Sequence, residues 1–182
     1  METFVRAIME FPLDERVGEE IERLAGDIDG GWDRLGNAYA DVLDMQPDPA
    51  VQRAIGHRQA RVFEKELEQI DNAIGTYRYL LGVDPLDTDS LMNLDRIFLA
   101  LERWAELGQV LEQRIVATSD PVELLELHWR LGPMYEDKLQ QVDDAIRVYR
   151  RIFDELEPAH EEAILALKRL YAQKQAWGDG VI

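Results

Sequence analysis

The side chains of this chain with most capacity for chemistry are three histidines and a run of close-set aspartates, and their spacing argues against catalysis. His57, His128 and His160 fall on separate stretches. Glu157-x-x-His160 spells one half of a carboxylate-bundle metal pair, but Pro158 interrupts the turn that would align it and no second copy follows. Asp84, Asp87 and Asp89 crowd one connection. They lack the spacing, the glycine and the terminal glutamate of a calcium loop, and they read better as helix caps. There is no Gly-rich phosphate loop, no His-Glu-x-x-His and no Gly-x-Ser-x-Gly. Without cysteine, disulfides and thiolate metal sites are excluded. The sequence therefore predicts no catalytic residue, no metal site and no cofactor.

Binding is the better prospect. Arg61, Arg96 and Arg169 each stand two residues before an aromatic: Phe63, Phe98 and Tyr171. Twenty basic against 37 acidic side chains give a net charge of −17, so three arginines in register are a local exception. Guanidinium groups at that spacing could hold a peptide's carboxylates in bidentate fashion, or they could pair with neighbouring Glu and Asp. The charge opposes nucleic acid and anionic membranes as partners. Trp32, Trp104 and Trp177 recur about one period apart and read as packing residues. Trp129 has no tryptophan counterpart and reads either as a partly buried flank or as an anchor on a binding surface.

The elements that must position these groups are helices. Val142, Ala145, Ile146, Tyr149, Ile152, Phe153 and Leu156 follow helical spacing without a break, and no run alternates with period two. Capping and breaker residues predict ten helices at 3–10, 14–26, 31–45, 49–68, 70–82, 88–102, 104–117, 121–139, 142–156 and 159–175. Asp48-Pro49 and Asp120-Pro121 read as an N-cap followed by proline at the first helical position, and Glu123 adds a capping-box acid. Pro133 should kink or break its helix. Short helices are marginal alone and must stack to bury their stripes.

The stacking has a period. Glu64–Arg78, EKELEQIDNAIGTYR, recurs 72 residues later as EDKLQQVDDAIRVYR, with eight of the 15 positions identical. Trp32-x-x-Leu35-Gly36 likewise aligns with Trp104-x-x-Leu107-Gly108. A fixed internal period marks a stacked-repeat architecture. No linker or composition shift divides residues 1–182, which predicts one continuous array of helical hairpins, two per long period.

Leu131-Gly132-x-x-Tyr135, followed by Ala145-x-x-x-Tyr149 and Pro158, resembles the tetratricopeptide repeat. Phe63, Ala73, Tyr77 and Pro85 match it one period earlier, with Ala60 in place of the glycine. The resemblance implies an all-α, right-handed superhelical solenoid of antiparallel helix hairpins. It also implies a non-catalytic scaffold that binds a protein or peptide segment along a concave face lined by first helices. Carried over position by position, that face holds His57, Arg61, Met92, Arg96, Trp129, Glu136, Leu165 and Arg169. The connection KLQQVDD is longer than the family's tight turn. The chain opens in what resembles a second-helix phase and stops just after Trp177. Because a finished solenoid has polar caps, this predicts a segment of a longer repeat protein, or end-to-end pairing into a homo-oligomer. No apolar run is long enough to span a bilayer and the N-terminus does not read as a signal peptide, so cytoplasm is the default expectation.

Overall fold

The computed structural model describes the backbone of residues 2–179 and the surroundings of side chains 3–175; the side chain of Trp177 lies outside the described residues. Ten α-helices follow one another: α1 Glu2–Glu10, α2 Glu15–Gly26, α3 Gly31–Met45, α4 Pro49–Lys65, α5 Ile70–Val83, α6 Thr88–Ala100, α7 Trp104–Ala117, α8 Pro121–Pro133, α9 Val142–Arg151 and α10 Glu161–Asp179. Among the described residues there is no strand. The all-α expectation and the number of helices hold.

Local chemistry sets the boundaries. Asp14 accepts from the amides of Arg16 and Val17, Asp48 from Ala50 and Asp120 from Val122, and Pro49 and Pro121 begin their helices. Each carboxylate satisfies an amide that has no partner within the helix. Glu123 does not complete a capping box. The Asp120 amide donates instead to Thr118 Oγ1 at 3.2 Å, and Glu123 accepts from Arg114 at 2.8 Å. The Thr118 hydroxyl and the Arg114 guanidinium together hold the Glu123 carboxyl below the usual carboxylate range.

The chain forms two compact units, Met1–Leu94 and Asp95–Ile182, with the boundary inside α6. In the first, α3 packs on α1, α2 and α4, and α4 pairs with α5. Its core gathers Ile8, Ile21, Leu35, Tyr39, Val42 and Ile55. In the second, α8 packs on α7 and α9, and α9 on α10. Gly132 of α8 lets the Tyr149 ring of α9 approach so closely that a Cβ at that position would lie 2.6 Å from the ring. A partly buried ion network joins α6, α7 and α8 there: the buried Asp95 accepts from Arg114 and, at 2.6 and 2.9 Å, from both terminal nitrogens of Arg130.

At Pro133 the α-helical ladder of α8 ends, but the chain goes on directly into a further helical turn. Proline has no N–H for the preceding turn, and the Met134 amide reaches Leu131 O. The ladder then widens into a π-helical turn at Met134–Lys138, where Leu139 N bonds Met134 O at 3.0 Å. A second π-helical turn, Ile152–Leu156, extends α9 without any proline. The long KLQQVDD connection is a left-handed cap: Gln140 has φ 55° and Gln141 N bonds Tyr135 O at 2.7 Å. Seventy-two residues earlier Glu68 has φ 53° and Gln69 N bonds Phe63 O at 2.7 Å. The sequence echo is thus also an echo of backbone geometry.

Candidate partner-binding surface

On α4 of the first unit, His57 and Arg61 stand four residues apart and so share a helix face. His57 Nε2 lies 2.9 Å from Asp87 Oδ2, although the angle is not that of a hydrogen bond. Asp87 is only 4% exposed; it caps α6 through the Ser90 amide and lies 3.5 Å from Arg53 Nε. Capping is therefore the role the structure gives this aspartate. Arg61 is paired with Glu22 at 2.9 Å, and Glu22 also accepts from Arg58 at 2.9 Å and from the Tyr39 hydroxyl at 3.2 Å. Burial, followed by the Glu22 charge, pushes the Tyr39 hydroxyl well above its ordinary range. Met92, on α6, is 52% exposed.

The second unit holds the rest of the predicted surface. Arg96 is exposed on α6. Trp129 is half-buried, its ring centroid 4.7 Å from that of His160 and 6.0 Å from that of Tyr149. Those contacts match the description of a partly buried flank. Glu136 accepts from Arg169 at 2.8 Å, so two predicted site residues are bonded to each other. Burial, then the Glu136 charge, raises the Tyr149 hydroxyl above its ordinary range. Leu165 is 63% exposed on α10, one turn before Arg169, while Ala163, Ala166, Leu167 and Leu170 are buried.

Arg61 and Arg169, two of the three arginines in register, are thus held by glutamates, as the salt-bridge alternative describes. Such partly exposed pairs are worth little individually, and an incoming carboxylate can compete for the guanidinium.

The structure also shows features that the list of surface residues misses. In the first unit, α3 and α5 both lie on α4 and leave between them a cleft of about 410 Å³, lined by Ala40, Asp44, Gln59, Phe63, Gly75 and Tyr79 among others. In the second unit, α7 and α9 both lie on α8 and leave a cleft of about 670 Å³ whose lining includes Glu112, His128, Leu131, Arg147 and Arg151. Most lining positions of the first cleft recur in the second at an offset of 72, so these are copies of one feature. The signal that could have found them is what changes within the echo: Gly75 becomes Arg147, and Tyr79 becomes Arg151.

In the second cleft burial pushes the His128 imidazole down, and Asp144 pushes the Arg147 guanidinium up. An arginine held more firmly protonated transfers no proton, so these two shifted groups do not form an acid–base pair. Among the described residues no three His, Cys, Asp or Glu side chains gather to hold a metal ion, and no helix is long and apolar enough to cross a membrane. A scan against protein-family models finds no match to this chain, and a search of curated proteins likewise finds none.

Proposed function

We propose that this chain is a non-catalytic scaffold that binds a protein or peptide segment along the exposed faces of its first helices. In this reading the helix pairs are tetratricopeptide-like and continue as a right-handed solenoid working in the cytoplasm, with Arg61, Arg96 and Arg169 meeting acidic side chains of the partner. One observation carries it: an apolar side chain left in solvent one turn before an arginine, Leu165 with Arg169 on α10, on a helix whose opposite side is buried. Met92 and Arg96 repeat the pattern on α6. An exposed apolar group beside a cation suits a segment that alternates apolar and acidic residues.

The test is capture of partners on the immobilised full chain, followed by binding measurements with each captured segment. Leu165→Asp and the triple variant Arg61→Gln, Arg96→Gln, Arg169→Gln should each lose the partner while keeping the wild-type melting transition. A partner held equally well by the triple variant would rule out this face.

End-to-end stacking is the second reading, and it rests on Phe11 and Leu13, which stand 51% and 60% exposed just after α1. Light scattering at high concentration tests it: a chain that stays strictly monomeric excludes it.

A further inference from the structure

We propose that the cleft of the first unit receives a cationic side chain, an arginine guanidinium, from a partner protein. In the second unit the equivalent cleft is lined by cations that belong to the chain itself. There Arg147 reaches Glu112 at 3.1 Å and Asp144 at 3.0 Å, and Arg151 pairs with Glu155. Seventy-two residues earlier the same helix face carries Gly75 and Tyr79, and among the described residues no lysine or arginine lines the cleft.

What lines it instead suits a cation. The Asp44 carboxylate stands at the rim, exposed. Asp71 also lines the cleft but has an interaction of its own, so Asp44 is the carboxylate on which the proposal rests. Phe63 and Tyr79 supply aromatic rings, Tyr79 being 42% exposed, and a planar guanidinium stacks on such faces. The floor is polar: the buried Gln59 donates to Gly36 O at 3.1 Å, and its Oε1 accepts from the Thr76 hydroxyl at 3.3 Å. Leu131 and Val148 hold those two positions in the second cleft.

Gly75 is the telling position. A Cβ built there meets nothing within 4 Å, so packing does not call for a glycine, and a side chain at this point of α5 would project into open space. An acidic, aromatic cleft in a chain of net −17 repels anions and attracts cations, and arginine matches both its carboxylate and its rings.

The experiment uses the full chain, isotopically labelled for two-dimensional NMR, with N-acetyl-arginine amide as probe and N-acetyl-citrulline amide as its neutral isostere. Arginine amide should shift the resonances of Ala40, Asp44, Gly75, Thr76 and Tyr79 saturably, in the millimolar range, and the citrulline compound should not. Asp44→Asn should weaken binding roughly fivefold, and added salt should weaken it too. Gly75→Arg, which installs the residue of the second cleft, should abolish binding while the chain remains folded. The Arg61, Arg96, Arg169→Gln variant should bind the probe as wild type does, so failure of the partner-segment reading and failure of this one are separable. Equal shifts with citrulline, shifts scattered over the acidic surface, or binding untouched by Gly75→Arg would each overturn the proposal. Concentration-dependent self-association that Gly75→Arg removes would also overturn it, by giving the cleft to a second copy.

Discussion

The two clefts rest on the same three-helix frame and differ chiefly in what faces the groove. Positions that turn inward keep their chemistry across the 72-residue step: Ala73 and Ala145, Ile74 and Ile146, Tyr77 and Tyr149 are all buried. Positions that turn toward the groove are freer: Asp71 and Asp143 match, but Ala40, Gln59, Gly75 and Tyr79 become Glu112, Leu131, Arg147 and Arg151. Close packing allows little freedom where a side chain meets neighbours on every side. The groove imposes less of a limit, so one frame carries an aromatic cleft without arginine in the first unit and one lined by both arginines and carboxylates in the second.

The comparison breaks most visibly at its tightest contact. Gly132→Ala would put a Cβ 2.6 Å from the Tyr149 ring, and a ring wedged in a core gives less readily than the end of a flexible chain. The loss should be about 1–3 kcal/mol, read as a lower midpoint in urea with an unchanged slope. Ala60 holds this slot in the first unit and is fully buried. A Gly132→Ala variant as stable as wild type would show that the Tyr149 ring can sit as Tyr77 does, and the two hairpins would be interchangeable at this point.

A smaller effect comes from exchanging the groove residues. Gly75→Arg should raise stability by about 0.5–1 kcal/mol, because glycine is a poor helix former and nothing obstructs the new side chain. Arg147→Gly should lower stability by about 1 kcal/mol and release Glu112, which the Tyr135 hydroxyl still holds at 2.7 Å. Thermal midpoints should move in opposite directions, by roughly 2–4 °C per kcal/mol for a chain of this size. A fall in the Gly75→Arg midpoint would mean that the first cleft is less open than its geometry indicates.

Much of the frame was legible in the sequence, because helix periodicity and capping are written locally. All ten helices begin within two residues of the starts that stripes and caps predict, and α8 and α9 approach their predicted ends only by way of π-helical turns. Those turns were not legible. Pro133 announces a disturbance, but whether the ladder breaks, kinks or widens depends on what packs against the turn, and Ile152–Leu156 widens with no proline at all. The arginine register was legible, whereas its partners were not: Glu22 stands 39 residues from Arg61, and Glu136 stands 33 from Arg169. The clefts escaped for a different reason. Matching residues revealed the repeat, while the clefts are lined mostly by residues that fail to match.

The subtlest difference between the units lies at Gly56 and its counterpart 72 residues on, His128. A glycine cannot titrate. His128 is buried, its Nδ1 lies 2.7 Å from Leu124 O, and because a carbonyl can only accept, that bond places a proton on Nδ1. Burial is the main cause that depresses its proton affinity. The Leu124 bond opposes that effect, the charges of Arg151 and Arg147 add to it, and Glu155 opposes it. The unfolded chain therefore binds a proton at this histidine more readily than the folded one. Stability is fully present above the unfolded value of about 6.5 and is lost as pH falls through it toward the lower folded value. Urea midpoints taken from about pH 7.5 to 5.5, above most carboxylate titration, should decline more steeply for wild type than for His128→Leu. Parallel curves would show that His128 gains its proton as easily folded as unfolded. The second cleft would then admit charge and water to its floor, and the contrast with the first unit would shrink to the arginines alone.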